Sequence, residues 1–369
     1  MINPRDFIDL LIEVGIEYFI GVPDSLMSSI SKCLHFDFKN KNHIISTNEG
    51  SALAAGMGYN LATDKYPLIY MQNSGLGNIV NPYTSLMHSE VYDIPFFLLI
   101  GWRGEPGIPD EPQHSFQGRI TLELLNLLEI EYVIIDKNTV LADLKQILES
   151  AIQNKKQLAI VVKKDTFEND NRSFSNSNSD LTRSKALEAI LEKFDSSSLI
   201  VSTTGKLSRE LYELRKSTNK KNDDFYVVGG MGHASSISFG LLNQIKDRTI
   251  VCLDGDGSIL MHMGHLSQLS ANEYSNFIHV VFNNSAHESV GGQPNNYKFL
   301  DTKLLFSSFG YKTQVFLYGL DEIRNLDIKN LEGPMYIEIA VENSSSPNLM
   351  RPNKSPIENK KEFIKKLYE

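Results

Sequence analysis

Residues 249–258 read TIVCLDGDGS, and residues 277–284 read FIHVVFNN. Each stretch is a run of apolar residues that ends directly in polar side chains, with Asp256 in the first and Asn284 in the second. The segment between them is long enough for one helix, expected over Leu260–Ala271, and for the second strand. Because the carboxyl ends of parallel strands meet at one edge of a sheet, we expect the two side chains to share a hard cation such as Mg²⁺.

Glycines flank Asp256 on both sides, at Gly255 and Gly257, and Ser258 follows. A residue without a Cβ lets the backbone approach a ligand closely, and backbone N–H groups at the start of a helix bind phosphate groups. The sequence therefore predicts a diphosphate next to the cation. Taken alone, a Gly-Asp-Gly triplet is more often an ordinary turn, and the Asn-Asn pair is what favours a functional site.

The length of 369 residues exceeds one ordinary core and fits two α/β domains. A polar, Ser/Asn-rich stretch, DTFENDNRSFSNSNSD, spans 165–180 and is typical of a connection between domains. We therefore expect an N-terminal domain over 1–168, a linker over 169–180 and a C-terminal domain over 181–369.

Short apolar runs alternate with longer amphipathic segments in both halves, which predicts mostly parallel sheets with helices on both faces. Helices are expected over Pro4–Val14 and Leu141–Ile152, and a β-like run, LAIVVKK, precedes the polar stretch. The predicted strands are YFIGV, HIIST, PLIYMQ, PFFLLIGW and YVIID in the first half, and LIVST, FYVVGG, TIVCLDGD, FIHVVFNN and MYIEIAV in the second.

Residues with turn or ligand chemistry collect where these strands end, which is where parallel sheets bind their ligands. The segments concerned are Gly21–Ser25, Asn48–Gly50, Gln72–Asn78, Gly101–His114, Thr203–Gly205, Gly255–Gly257 and Asn283–Gly292.

Charge and composition exclude several classes of partner. A net charge of -9 and a pI near 5.6 argue against nucleic-acid binding, which needs clustered Lys and Arg. The acidic N-terminus does not resemble a signal peptide, and the longest apolar stretch, Ile94–Gly101, is too short to cross a membrane. Cys33 and Cys252 have apolar neighbours and are expected to be core residues, which suits a reducing cytoplasm.

Gly-Asp-Gly followed by Asn-Asn resembles the thiamine diphosphate signature of pyruvate decarboxylase-like enzymes. That resemblance implies thiamine diphosphate and Mg²⁺ as cofactors, with Asp256, Asn284 and the backbone oxygen of Ala286 as metal ligands. The segment GGMGHASSISFG at 229–240 resembles the family's cofactor loop. Met231 lies where the family holds a bulky apolar residue under the cofactor, although in isolation it reads as a core methionine. The expected cofactor contacts are Glu49, Asn73, Thr203, Thr204, Gly205, Gly230, Met231, Gly232, Gly255, Asp256, Gly257, Ser258 and Asn284.

Glu49, in TNEG at 47–50, resembles the catalytic glutamate that activates the cofactor in this family. A carboxyl group held in an apolar pocket can share a proton with the cofactor's aminopyrimidine ring. The alternative is an exposed glutamate stabilised by the helix dipole, which the second-half signature disfavours. Because the family places this glutamate opposite a diphosphate site of another subunit, the resemblance implies a homo-oligomer with active sites at subunit interfaces. By the same resemblance, the first domain is the pyrimidine-binding domain and the second the diphosphate-binding domain.

Six runs spread along almost the whole chain resemble the phosphonopyruvate decarboxylases, with the sulfopyruvate decarboxylases as near relatives. The resemblance implies decarboxylation of 3-phosphonopyruvate to phosphonoacetaldehyde and CO₂, in phosphonate biosynthesis. Sulfopyruvate decarboxylation and carboligation remain alternatives, and a non-catalytic protein of this fold is disfavoured. A dinucleotide oxidoreductase is set aside because GLGNIV lacks the third glycine. The runs are GVPDSL (21–26), YMQNSGLGN (70–78), LLIGWRGEPGIPDEPQH (98–114), STTGKLSRE (202–210), GGMGHASS (229–236) and NNSAHESVGGQP (283–294).

A short, doubly anionic substrate needs a positively charged side chain beside it. Arg103 can bind a phosphonate group through two parallel hydrogen bonds. Arg103 can instead pair with Glu105 or Glu111. The other residues expected at the substrate are Asp24 and His114 as catalytic groups and Ser25, Gln117 and His287 as binding groups.

Asp24 and Ser25 have an alternative structural role. They immediately precede the predicted helix LMSSISKCL, and short polar side chains often cap a helix at this position. The sequence leaves both roles open.

Overall fold

The computed structural model describes residues 1–38, 42–174, 179–218, 223–272, 274–343 and 349–368. The chain divides into two compact units, Met1–Ser173 and Phe174–Glu369. The division falls within the predicted linker over 169–180, of which residues 175–178 lie outside the described residues.

The first unit is built on a six-stranded parallel sheet with the strand order β2-β1-β3-β4-β6-β5. Its strands are β1 Tyr18–Gly21, β2 His43–Ile45, β3 Pro67–Gln72, β4 Phe97–Gly101, β5 Glu131–Ile135 and β6 Leu158–Val162. Its helices are α1 Pro4–Glu13, α2 Ser28–Asp37, α3 Glu49–Thr63, α4 Leu76–Pro82, α5 Pro112–Leu127 and α6 Leu141–Gln153.

The second unit is built on another six-stranded parallel sheet, with the order β13-β14-β10-β9-β7-β8, and carries a small antiparallel pair, β11-β12. Its strands are β7 Leu199–Ser202, β8 Phe225–Tyr226, β9 Ile250–Gly255, β10 Phe277–Asn283, β11 Ala286–His287, β12 Gln293–Pro294, β13 Thr313–Leu317 and β14 Met335–Ala340. Its helices are α7 Arg183–Leu191, α8 Lys206–Ser217, α9 Ala234–Leu242, α10 Asp256–His262, α11 Gln268–Ala271, α12 Thr302–Ser308, α13 Leu320–Asn325 and α14 Pro356–Tyr368.

The two sheets share one topology. Counted from its own first strand, each has the order 2-1-3-4-6-5. The direction in which strands are added to the sheet reverses between the first and third strands, which are β1 and β3 in the first unit and β7 and β9 in the second. Ligands of open α/β sheets bind at such switch points, outside the carboxyl ends of the strands. The predicted α/β fold with two mostly parallel sheets is confirmed.

Both faces of the first sheet are buried, which explains why its central strands are continuously apolar. Phe97 and Leu99 of β4 belong to one hydrophobic cluster, and Leu98 and Ile100 belong to another. Because successive side chains of a strand point to opposite faces, the two clusters lie on opposite sides of the sheet. A parallel sheet covered in this way holds its strand ends rigidly, and those ends carry the polar residues described below.

The predicted helix Leu260–Ala271 is wrong as a single element. Helix α10 begins earlier, at Asp256, and ends at His262; a 3₁₀ turn over Met263–Ser267 separates it from α11. Gly264 lies in the middle of this segment, and glycine is a poor helix former. The His265 ring also hydrogen-bonds to the carbonyl oxygen of His262 at 2.6 Å, which competes with the helical pattern.

Two further features concern single elements. Strand β13, TQVFL, was not predicted because its polar and apolar residues lack a clear alternation and its residues are only partly buried. The longest helix, α5, has 16 residues, and within the described ranges no helix is both long and apolar enough to cross a membrane. Cys33 and Cys252 are both buried, as expected for core residues.

Gly21 provides a test of the close approach between β1 and β3. A Cβ at position 21 would lie 1.9 Å from the carbonyl oxygen of Tyr70, so Gly21→Ala must push the two strands apart. We expect it to lower the free energy of unfolding by about 1–3 kcal/mol. In α3, a Cβ at Gly58 would meet no atom of the described residues within 4 Å, so Gly58→Ala is the matched control and should raise stability by up to about 1 kcal/mol. Urea denaturation measures both, and equal stability of the two variants would contradict this packing.

Candidate functional site

Asp256 and Asn284 lie at the same edge of the second sheet. Strand β9 ends at Gly255 and β10 ends at Asn283, and the register pairs Gly255 with Phe282. Strand β10 therefore extends one residue beyond β9, and both segments leave the sheet at the same edge. Both residues are buried, with 3% of Asp256 and 9% of Asn284 exposed. The structure thus places the two side chains that were predicted to share a cation at one edge of the sheet.

Asp256 is the first residue of α10, and its Oδ2 accepts a hydrogen bond from Asn295 Nδ2 at 2.7 Å. Burial raises the pKa of Asp256 to about 6, while the Asn295 hydrogen bond acts in the opposite direction. An ionised carboxylate is costly to bury without a positive partner. A bound cation would supply that partner, so the donor set fits a divalent metal.

The orientation of the Asn284 amide is fixed by its neighbours. Its Oδ1 accepts a hydrogen bond from the Ala286 N–H at 3.1 Å, and its Nδ2 lies 3.4 Å from Oε2 of Glu288. The nitrogen therefore faces a carboxylate, and the oxygen keeps a lone pair for a further partner. This is the orientation that a metal ligand requires.

Glu288 in turn belongs to a charged cluster at the start of α7 and α8. Its carboxylate accepts hydrogen bonds from Arg183 Nη1 at 2.6 Å and Lys206 Nζ at 3.0 Å. Arg183 also forms a two-pronged pair with the buried Glu210, at 2.7 and 2.9 Å. Lys206, Glu210 and Glu288 lie inside the quoted runs 202–210 and 283–294, but their pairing with one another and with Arg183 was missed because it joins segments that are distant along the chain.

The predicted cofactor loop and the Gly-Asp-Gly turn meet around Ser258. Its Oγ lies 3.0 Å from Thr203 Oγ1 and accepts a hydrogen bond from the Gly232 N–H at 3.1 Å. A Cβ at Gly257 would lie 3.3 Å from Nδ1 of His287 and 3.6 Å from Cε of Met231. The end of β7, the segment around Gly232 and the start of α10 therefore converge on one site.

The other predicted cofactor residues lie near the same sheet edge. Thr204 and Gly205 form the turn from β7 into α8, and Gly230 precedes Met231 with a φ of 65°. Burial lowers the pKa of His287 to about 4, so this side chain is neutral at physiological pH.

Glu49 is the first residue of α3 in the first unit, and only 5% of it is exposed. Its Oε2 accepts a hydrogen bond from Asn78 Nδ2 at 2.7 Å. A Cβ at Gly75 would lie 2.5 Å from the Glu49 side chain, so glycine is required beside it. The alternative of an exposed helix-start glutamate is therefore wrong. Asn78 was quoted in the predicted turn, but its contact with Glu49 was missed.

Asp24 lies at the end of β1 and is almost completely buried. Its two carboxylate oxygens accept hydrogen bonds from the Leu26 N–H at 3.0 Å and from Gln72 Nε2 at 3.2 Å. Burial raises its pKa to about 6, against the opposing effects of the Leu26 hydrogen bond and the charge of Arg103. Asp24 thus caps the short turn that follows, as the structural alternative predicted.

Arg103 pairs with Asp110. The alternative prediction from the sequence, a pair with Glu105 or Glu111, is therefore wrong. Its Nε and Nη2 donate to the two Asp110 oxygens at 2.8 and 2.5 Å, and its Nη1 donates to Ser25 Oγ at 2.9 Å. Glu105 instead contacts Lys163 at 2.6 Å. Asp110 lies inside the quoted run 98–114, but turn residues alone do not specify which side chain the turn brings back onto Arg103.

Three more predicted residues lie around the same strand ends. Asn73 donates to the Arg103 carbonyl oxygen at 2.8 Å and to Thr121 Oγ1 at 2.9 Å, so its side chain braces the turn after β4. Gln117 Nε2 donates to the Ser74 carbonyl oxygen at 3.3 Å. His114 lies in the first turn of α5. The first unit therefore gathers Asp24, Ser25, Asn73, Arg103 and Gln117 at the ends of β1, β3 and β4.

Two family models match this chain. One, described as the N-terminal TPP binding domain of thiamine pyrophosphate enzymes, matches residues 5–125, and the other, the C-terminal TPP binding domain, matches residues 172–314. The chain is 32% identical to phosphonopyruvate decarboxylase of Streptomyces viridochromogenes, over 98% of this chain and 94% of that protein. It is 31% identical to phosphonopyruvate decarboxylase of Streptomyces hygroscopicus, over 98% and 93%. Sulfopyruvate decarboxylase of Methanosarcina acetivorans is 26% identical, over 84% of this chain and 83% of its own length.

The opposite pKa shifts of Asp24 and Asp110 predict opposite pH dependences of stability. The pKa of Asp24 is raised from 3.8 to about 6, so the folded state binds this proton more tightly than the unfolded chain does. Relative to Asp24→Asn, the wild type should lose up to about 3 kcal/mol of stability as the pH rises through this window.

Asp110→Asn is the matched comparison. Although burial acts the other way, the hydrogen bonds from Arg103 hold the pKa of Asp110 below its usual value. The ionised Asp110 carboxylate therefore stabilises the folded state above the usual carboxyl pKa of about 4, and this contribution to the free energy of unfolding is lost as the pH falls. Urea denaturation between pH 3 and 7 measures both differences, and two curves with the same slope would contradict these environments.

Proposed function

Because this chain belongs to the thiamine pyrophosphate enzymes, as a decarboxylase related to the phosphonopyruvate and sulfopyruvate decarboxylases, we propose 3-phosphonopyruvate as its substrate. The products are phosphonoacetaldehyde and CO₂, and the reaction uses thiamine diphosphate with Mg²⁺. We assign the enzyme to phosphonate biosynthesis in the cytoplasm. Similarity to two phosphonopyruvate decarboxylases over 98% of the chain supports this substrate.

The observation that carries the cofactor assignment is the placement of Asp256 and Asn284 at adjacent strand ends, both buried. We assign Mg²⁺ to Asp256, Asn284 and the backbone oxygen of Ala286. Carboxylate, amide and carbonyl oxygens suit this ion, which usually completes its shell with phosphate and water. Burial raises the pKa of Asp256, and a bound cation would favour its ionised form. This supports a metal ion beside Asp256.

The cofactor supplies an electron sink for the bond broken when CO₂ leaves. The second unit is proposed to hold its diphosphate end, and the first unit to hold its pyrimidine end. Thr203 and Ser258 offer hydroxyl groups, and Gly255 and Gly257 leave room for phosphate oxygens. Met231 is proposed to support the cofactor from below. The remaining contacts are proposed for Asn73, Thr204, Gly205, Gly230 and Gly232.

Glu49 is proposed to hold and return a proton beside the pyrimidine ring. Its burial and its hydrogen bond to Asn78 hold the carboxyl group in one orientation, with one oxygen bound to Asn78. The other oxygen is proposed to face the cofactor. A fixed acid in a buried pocket is what general acid-base catalysis requires.

Arg103 is proposed to bind the phosphonate group. The guanidinium has five N–H groups, and three of them donate hydrogen bonds to Asp110 and Ser25. Among the described residues the other two have no acceptor, and they are proposed to donate to two oxygens of the phosphonate. Ser25 and Gln117 are proposed as further hydrogen-bond donors from the first unit, and His287 as one from the second.

Asp24 and His114 are proposed to handle the proton that the product needs after CO₂ has left. A carboxyl group with a pKa near 6 keeps a useful protonated fraction at neutral pH, which suits a proton donor. Decarboxylation of sulfopyruvate is the second candidate, because a sulfopyruvate decarboxylase matches 84% of this chain. Carboligation would need room for a second acceptor beside these groups.

The substrate assignment is tested with purified protein, thiamine diphosphate and Mg²⁺, by offering phosphonopyruvate, sulfopyruvate and pyruvate separately. We expect phosphonoacetaldehyde, with kcat/KM for phosphonopyruvate at least about tenfold above the other two. Measuring CO₂ and identifying the aldehyde gives the result. A faster reaction with sulfopyruvate would overturn the substrate while leaving the decarboxylase intact.

We also propose that the enzyme is a homo-oligomer, with Glu49 of one subunit and Asp256 of another completing each active site. Glu49→Gln keeps the acceptor for Asn78 but removes the acid, and Asp256→Asn removes the charged metal ligand, so each variant alone should be inactive. Refolding the two together should restore about a quarter of wild-type activity, because half of the dimers are mixed and each has one intact site.

The matched control refolds Asp256→Asn with Asn284→Leu. Both changes lie in the same unit, so every site of the mixture stays damaged and activity should stay absent. If Glu49→Gln and Asp256→Asn fail to complement each other although both fold, the shared active site is wrong.

A further inference from the structure

A second group of ligand-type side chains lies inside the second unit. Cys252 and Asp254 are alternate residues of β9 and therefore face the same side of the sheet. His279 of β10 is paired with Cys252 in the register. All three are completely buried, and one ligand atom from each lies within 4.8 Å of the other two.

Among the described residues, Asp254 and His279 each have one side-chain polar atom with a hydrogen-bond partner and one without. Asp254 Oδ1 accepts a hydrogen bond from the Gly255 N–H at 2.9 Å, and His279 Nδ1 lies 2.7 Å from the Tyr311 hydroxyl oxygen. In the part of the chain that the structure describes, neither Asp254 Oδ2 nor His279 Nε2 has a hydrogen-bond partner. These two atoms face each other at 3.5 Å, which is longer than the usual N–H···O distance of about 2.9 Å.

His265 repeats the pattern from the turn after α10. Its Nδ1 lies 2.6 Å from the His262 carbonyl oxygen, which makes Nδ1 the protonated nitrogen and leaves a lone pair on Nε2. Nε2 is buried and lacks a hydrogen-bond partner among the described residues. His265 interacts electrostatically with Asp254 and His279, but it lies outside the group of three whose ligand atoms are all within 4.8 Å of one another.

Among the residues that the structure describes, Asp254 Oδ2 and His279 Nε2 face each other without a hydrogen-bond partner, and His265 Nε2 also lacks one. Buried polar atoms of this kind destabilise a fold unless something satisfies them. In His265 and His279, Nδ1 lies at hydrogen-bond distance from an oxygen, and Nε2 lacks a hydrogen-bond partner in the described part of the chain. Metal-binding histidines have this arrangement, because the nitrogen that does not bind the metal usually bonds to a carbonyl or other oxygen. In a tetrahedral site with bonds of about 2.0 Å, ligand atoms are roughly 3.3 Å apart. The 3.5 Å between Asp254 and His279 is already close to that spacing.

We propose that Cys252, Asp254 and His279 bind a zinc-type divalent cation, and that the His265 side chain moves towards them on binding to become the fourth ligand. A thiolate, a carboxylate and imidazoles together suit Zn²⁺, whereas Mg²⁺ and Ca²⁺ prefer oxygen ligands alone. Two anionic and two neutral ligands balance the charge of the ion. Four protein ligands leave no open position, so the site is structural and joins β9 to β10, two residues before Asp256.

Binding would exchange a proton for the metal. Burial raises the pKa of Cys252, so without a cation the thiol keeps its proton. On binding, the S–H proton leaves to solvent and the sulfur forms a bond to the metal, so affinity should increase with pH. No oxidant or reductant takes part.

The test is made on the full-length protein, independently of activity. After incubation with Zn²⁺ and gel filtration, elemental analysis should find one zinc per chain, retained in excess Mg²⁺. Replacing Zn²⁺ with Co²⁺ should give a thiolate charge-transfer band in the near ultraviolet. That band requires a sulfur ligand, so it cannot arise from Asp256 and Asn284.

Cys252→Ser should lose the band, and the matched control Cys33→Ser, which changes the other buried cysteine, should keep it. His265→Gln should change the visible cobalt spectrum, and an unchanged spectrum would remove His265 from the site. Should Cys252→Ser fail to fold, chelation of the wild type should lower Tm, with recovery on adding Zn²⁺ but not Mg²⁺. Wild-type protein that takes up neither zinc nor cobalt in stoichiometric amount, or a Cys252→Ser variant that keeps the band, would overturn the proposal.

Discussion

The parallel pairing of β9 with β10 is the constraint on which the rest of the candidate site depends. The register brings the two strands to an end within one residue of each other, so Asp256 and Asn284 emerge together at one edge. A slip of one residue would turn every side chain of a strand to the opposite face and exchange its buried and ligand-facing positions. The apolar runs before these residues therefore help to position Asp256 and Asn284, because burial on both faces of the sheet fixes the register of the two strands.

Buried or partly buried carboxyl groups recur near the strand ends of both units, and their charge is compensated in two ways. Asp24 is held by neutral hydrogen-bond donors, which only partly offset the burial that raises its pKa. Glu288 and Glu210 instead share Arg183, so their charges are paired directly. Asp256 has an amide partner and no cationic side chain bonded to it among the described residues. Asp24 and Asp256 thus share neutral hydrogen-bond donors and a raised pKa. Glu210 and Glu288 differ from them because an arginine pairs with their charge.

The sequence was enough to predict the sheets and the positions of Asp256, Asn284 and Glu49, because strand endings and their polar residues are local patterns. The single helix over Leu260–Ala271 was wrong because a side-chain hydrogen bond and a glycine interrupt it. Asn295 lies just beyond the quoted run 283–294 and Asp110 lies inside the run 98–114, but the turn residues there do not specify which side chain returns to the site. Their contacts depend on the folded path of the chain, which spacing alone does not encode.

The most direct test of the central claim is a crystal structure with thiamine diphosphate and Mn²⁺ in place of Mg²⁺, in which anomalous scattering locates the metal. The account predicts a metal peak about 2 Å from oxygens of Asp256 and Asn284, with the cofactor's diphosphate beside Gly255 and Gly257. A peak at another position, with these side chains bound to protein groups alone, would contradict it.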